Sequence, residues 1–133
     1  GFLVPKKENL KILGSIWTSS IFSHRAPNGM VQFRTMVGGD GDHESIKLSD
    51  DALLDAVQAN LDAIVGINGK PTLTKIYRWS RGIPQFKIGH AKIMDKLEKE
   101  LTQQGNLFIT GNAYYGISLN DCIKQSYKVV EQI

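Results

Sequence analysis

The sequence predicts an α+β fold on three observations. Two β-rich runs, Lys11 to Phe22 and Met30 to Gly38, flank a connection containing Ala26-Pro27-Asn28-Gly29, whose Pro and Asn-Gly supply turn dihedrals. Later stretches repeat apolar residues at helical spacing. No internal repeat or low-complexity tract interrupts the pattern. At 133 residues with 41% apolar content, the chain is long enough for one domain with one core.

The elements follow in order. The two β-rich runs should pair antiparallel. Gly38-Gly39-Asp40-Gly41-Asp42 is the richest glycine cluster, but its two carboxylates would repel a phosphate, so it reads as a turn. Ser49 is placed to cap a helix with Asp50 and Asp51 in its first turn; Leu53, Leu54, Val57, Leu61 and Ile64 recur until Gly66 stops it. Thr72 to Trp79 alternates like a strand. Ile93, Met94, Leu97 and Leu101 form the stripe of a second helix, with Lys92, Lys96, Glu98, Lys99 and Glu100 on its wet side and Gly105 as its stop. Asn106 to Thr110 reads as a short buried strand, and a third helix starts near Leu119, with Asn120 able to cap it and Asp121 suited to its positive end.

Charge and titratable residues exclude several function classes. A net charge of +3 is mild, and the Lys and Arg residues are scattered instead of clustered with aromatics, which argues against nucleic-acid binding. Cys122 is the one cysteine, so no internal disulfide forms and a reducing, cytoplasmic setting is expected. No secretion signal and no apolar run of about eighteen residues occurs. A membrane would therefore be met only at its surface. His24, His43 and His90 stand in separate segments, without metal-ligand spacing or a nucleophile partner, so no metal site and no catalytic acid, base or nucleophile is assigned. Arg34 and Arg78 can equally meet a propionate or form surface ion pairs.

One segment carries more. Gly111-Asn112-Ala113-Tyr114-Tyr115-Gly116-Ile117-Ser118-Leu119-Asn120-Asp121-Cys122-Ile123 is a glycine-bracketed loop running into a helix, and it can present bare amides to an anion or an electron-rich ring. By physics alone an ordinary helix cap explains it equally well. Its wording resembles the carboxyl-terminal flavin-binding stretch of protoporphyrinogen oxidases, where Gly-Asn-Ala-Tyr precedes Gly-Val-x-x-x-Asp-Cys-Ile. The resemblance extends through Gly1-Phe2-Leu3-Val4-Pro5, Ile12-Leu13-Gly14, Ser19-Ser20-Ile21-Phe22 and Val37-Gly38-Gly39. It continues through Arg78-Trp79, Ile83-Pro84-Gln85-Phe86 and Gly89-His90. Ile117 stands for the usual Val, Phe86 for Tyr, and Gln125-Ser126 for a common Ser-Gly pair.

That resemblance implies an FAD-dependent oxidoreductase that takes hydrogens from protoporphyrinogen IX in haem biosynthesis. It implies that Gly111, Gly116, Ile117 and Ser118 face the isoalloxazine and ribityl chain. Trp79 is either a core residue or a neighbour of the flavin, and His90 caps a helix or supports the site from behind. Residues 1–80 would belong to the antiparallel substrate domain and 81–133 to the end of the FAD-binding part. The chain opens within a strand pattern, closes within a helix pattern and contains no Gly-x-Gly-x-x-Gly dinucleotide motif. The expectation is therefore a single compact piece of a larger enzyme, inactive by itself, that associates with itself; the parent would take a porphyrinogen and approach a membrane peripherally. Two other readings stay open: a different flavin amine oxidase, such as a carotenoid desaturase or monoamine oxidase, and a stand-alone α+β binding module.

Overall fold

A computed structural model describes residues 1–133. It is α+β: a three-stranded antiparallel sheet accompanied by helices. By its internal contacts the chain divides into two compact units, Gly1–Ser80 and Arg81–Ile133.

The first unit is built on strands β1 (Phe2–Leu3), β2 (Ile12–Trp17) and β3 (Phe33–Val37), in the order β1-β2-β3. The expected antiparallel pair is β2 with β3, matching Trp17 to Phe33 and Ser15 to Thr35. The register slips between Ile12 and Gly14, a bulge of the kind that one extra residue produces. Gly14 is required there, because a Cβ would stand 2.5 Å from the Phe2 carbonyl oxygen. Phe2, Trp17 and Phe33 meet with ring centroids 5.7 and 5.4 Å apart, the edge-on and tilted contacts that aromatic quadrupoles favour. Beyond Trp17 the predicted strand breaks off. Thr18–Ile21 forms a single helical turn, α1, and Thr18 is held by Gln32, whose carbonyl accepts from its amide at 2.9 Å.

Helix α2 (Asp50–Val65) starts and stops as predicted. The Ser49 hydroxyl accepts from the Ala52 amide, and Gly66 closes the helix in the left-handed conformation. The Asn60 side-chain oxygen accepts from the amides of Lys11 and Ile12 at 2.8 and 3.3 Å. This ties the helix to the start of β2, where Ile12 is buried, and the next helical residue, Leu61, is buried too. The glycine cluster is a turn, closed by the Asp42 amide on the Gly39 carbonyl at 3.2 Å. Asp42 then caps the following short turn: its carboxylate accepts from the amides of Glu44 and Ser45 at 3.2 and 3.0 Å and from the Ser45 hydroxyl. The two bonds from Ser45 chiefly hold its carboxyl below the usual carboxylate range; burial opposes them, and the charge of Lys11 and the Glu44 amide add to them.

Thr72 to Trp79 is not a strand. Alternation equips a segment to join a sheet, yet a ladder also needs a neighbour, and this sheet ends at β1 and β3. The segment is anchored instead by Arg78, whose guanidinium donates to the Asp50 carboxylate and to the Leu48 carbonyl.

The second unit contains α3 (His90–Gln104) and α4 (Leu119–Val130). Gly105 ends α3 as predicted, and Met94 is the buried member of its stripe, while Ile93 is exposed. Asn106 to Thr110 likewise forms no strand; Phe108 and Ile109 are half-buried. Helix α4 is capped by Ser118, not Asn120. Position decides: Ser118 stands three residues before Asp121, the spacing at which side chain and backbone satisfy each other in both directions. Cys122 is partly exposed.

Candidate functional site

The loop between α3 and α4 begins with a turn at Gly111, whose carbonyl accepts from the Tyr114 amide at 3.3 Å. Gly111 has φ +119° with open space around its Cα, so the backbone itself, not crowding, selects glycine there. The loop ends in the α4 cap. The Ser118 hydroxyl accepts from the Asp121 amide at 3.0 Å, and the Asp121 carboxylate accepts from the Ser118 amide at 3.3 Å and from its hydroxyl at 2.6 Å.

Two tyrosines fix the middle of the loop against α3. His90 Nε2 lies 2.8 Å from the Tyr114 carbonyl oxygen; a carbonyl only accepts, so this nitrogen carries the proton. The His90 ring stacks on Phe86, centroids 4.1 Å apart and planes 8° apart. The Tyr115 hydroxyl has its pKa raised, first by burial and then by the charge of Glu98 on α3 and a hydrogen bond to it.

The predicted site residues fare differently. Gly111, Gly116, Ile117 and Ser118 share this one loop. The amides of Gly116 and Ile117 have no protein acceptor, and those of Leu119 and Asn120 lie in the first helical turn, where the helix offers none. Ser118 is engaged otherwise, since its amide and hydroxyl both donate to Asp121. At Gly116 a Cβ would stand 2.6 Å from the Asp121 Cβ and Cγ. Trp79 lies in the first unit, 64% exposed and stacked on Tyr77 with centroids 5.9 Å apart. Arg78 is ion-paired with Asp50. Its guanidinium is thus committed within the chain. The pairing of Ser118 with Asp121 has a sequence signal, a hydroxyl residue three places before an acid, whereas the His90 to Tyr114 bond spans 24 residues and has none.

These features test whether a flavin fits. The Asp121 carboxylate already occupies the positive end of α4, which disfavours a phosphate there. The unpaired amides of Gly116 and Ile117 suit neutral acceptors such as ring carbonyl oxygens and nitrogens. The loop therefore fits the ring end of a flavin, and nothing in it cradles a pyrophosphate. No group of acidic, histidine or cysteine side chains could hold a metal, and no helix is long and apolar enough to cross a membrane.

Several known proteins have sequences similar to this chain. The chain is 30% identical over 131 residues to a coproporphyrinogen III oxidase of Bacillus subtilis (strain 168), covering 98% of this chain and 28% of that protein. It is 33% identical to protoporphyrinogen oxidase 1, chloroplastic, of Spinacia oleracea, covering 100% of this chain and 24% of the relative. Against the mitochondrial protoporphyrinogen oxidase of Nicotiana tabacum the identity is 30%, with 100% and 27% covered. The chain thus spans about a quarter of the length of these relatives. The profile of the flavin containing amine oxidoreductases matches residues 2–133, and with nearly every residue aligned, the chain belongs to that family.

Proposed function

We propose that this chain is the carboxyl-terminal portion of an FAD-dependent protoporphyrinogen oxidase, which converts protoporphyrinogen IX to protoporphyrin IX. The observation that carries the reading is the 111–118 loop, whose Gly116 and Ile117 amides are unpaired and whose helix end is closed to phosphate by Asp121. The names of the relatives favour a porphyrinogen over an amine or a carotenoid as substrate.

When bound, the flavin supplies a two-electron acceptor for hydride from the macrocycle. The chain's own residues bind and orient. Gly116 and Ile117 offer amides to the ring edge, Gly111 shapes the turn before them, and Ser118 holds the cap. Trp79, exposed and stacked on Tyr77, offers an aromatic face to the cofactor. Residues 1–80 belong to the substrate-binding half and 81–133 to the end of the FAD-binding part. No residue of this chain serves as acid or base, because oxidation by hydride transfer asks the protein chiefly for placement. The rest of the enzyme supplies the pyrophosphate site, and the whole works in the cytoplasm in peripheral contact with a membrane.

The test uses the longer protein that contains this chain. Cofactor released on denaturation is identified by chromatography, and porphyrin fluorescence is followed on incubation with protoporphyrinogen IX and, separately, coproporphyrinogen III. FAD and porphyrin formation, faster with protoporphyrinogen IX, are expected. Absence of flavin, or flavin without porphyrin formation, sinks the reading; faster turnover of coproporphyrinogen III overturns the substrate assignment.

A further inference from the structure

The loop that offers the Gly116 and Ile117 amides contains no regular structure of its own. Its backbone must be held from outside, and the hydrogen bond at its centre comes from α3. Gly89 adopts the left-handed conformation (φ +97°) just before that helix, and His90 follows as its first residue. The imidazole is half-buried, lies flat against Phe86 and points Nε2 at the Tyr114 carbonyl. Tyr114 precedes Gly116 by two residues. Rotation of the peptide that carries this carbonyl would redirect the amides after it.

We infer that His90 is a positioning residue, whose Nε2–H fixes the Tyr114 carbonyl, and with it the Gly116 and Ile117 amides, in the orientation that receives the flavin ring, while Phe86 keeps the imidazole in place. This inference rests on the function proposed above. The stack and the donor have separable effects. Without Phe86 the ring is free to turn about its own torsions and the bond is made part of the time; without the donor a half-buried carbonyl loses its partner.

His90→Phe keeps an aromatic ring and removes the donor, whereas His90→Gln restores an N–H donor of similar reach. Phe86→Leu retains His90 and loosens it, which provides a second route should His90→Phe fail to fold. Each is made in the flavin-loaded enzyme and read three ways: hydrogen exchange of the 112–118 segment, flavin dissociation constant, and the absorption bands of the bound flavin. His90→Phe should raise exchange in that segment and weaken flavin binding about tenfold, the scale of one hydrogen bond, with a shift of the bands. His90→Gln should recover most of the loss, and Phe86→Leu should show a smaller change in the same direction. Faster exchange with unchanged flavin affinity and bands would make the bond merely structural and overturn the inference. Unchanged exchange in His90→Phe, or no recovery in a well-folded His90→Gln, would overturn it as well. All three results leave the proposed function standing. A wild-type enzyme without flavin removes that function and this inference together.

Discussion

The Asp121 side chain packs directly against the Cα of Gly116: a Cβ added there would stand 2.6 Å from the Asp121 Cβ. Gly116 is therefore glycine for a reason internal to the chain. Gly116→Ala should push Asp121 off Ser118 and cost about 1–2 kcal/mol, the range for loss of a helix cap. In an Asp121→Gly background the same change should cost much less, leaving a coupling of about 1 kcal/mol or more. Chemical denaturation of the four proteins measures it, and strictly additive costs would refute the contact. Flavin content per folded molecule of the double variant then reports separately whether the ring also needs glycine at this position.

Ser118→Ala should destabilise the protein by about 1 kcal/mol, whereas Asn120→Ala should stay within about 0.5 kcal/mol. Ser118 exchanges hydrogen bonds with Asp121 in both directions, while Asn120 is an exposed residue inside the first turn. A larger loss for Asn120→Ala, seen in thermal unfolding, would return the cap to the position its residue type first suggested.

What could be read in the sequence was whatever depends on near neighbours. Helix α2 declared its cap at Ser49, its stripe and its stop at Gly66; α3 declared its stripe and Gly105; β2 and β3 announced themselves as a pair across a turn. Thr72 to Trp79, read from its alternation, and Asn106 to Thr110, read as a short buried strand, misled because sheet membership depends on a partner elsewhere. The candidate loop was visible through its glycines and its family wording. Its support was not, since His90 reaches Tyr114 across 24 residues and nothing local marks the pairing.

Stability should fall in acid partly through Asp42. Its folded carboxyl is held below the usual range, so the unfolded chain binds the proton more readily and falling pH favours unfolding. The contribution is whole above about pH 4, the ordinary carboxylate range, and is lost as pH drops through the folded value beneath it. Asp42→Asn should be less stable than wild type near neutrality and should show a shallower decline below about pH 4. Urea midpoints across that range decide; parallel curves would remove Asp42 as a contributor.

The 133-residue chain purified by itself should be colourless and inactive toward protoporphyrinogen IX, because it lacks a Gly-x-Gly-x-x-Gly site for the pyrophosphate. Flavin absorption bands that survive desalting would contradict this.

The same preparation should self-associate. Leu119, Ile123, Tyr127 and Val130 are all exposed on α4, beside a shallow apolar groove of about 320 Å³ lined by Cys122, Ile123, Ser126, Tyr127 and Val130. Apolar surface left open in this way tends to be covered by another copy. Light scattering over a dilution series is the measurement, and a monomer mass at every concentration would oppose the expectation.

Ser15 and Thr35 are cross-strand partners whose hydroxyls lie 2.9 Å apart, with Ser15 fully buried. The pair works as a key that fits one alignment of β2 on β3. A slide by two residues would keep every side chain on its own face, so burial alone would not oppose it; it would, however, set the Ser15 hydroxyl against Phe33 or Val37. A buried hydroxyl stripped of its partner costs about 1–3 kcal/mol, enough to make the shifted sheet a minor species. One polar pair thereby proofreads an alignment that the surrounding apolar residues would accept in several versions.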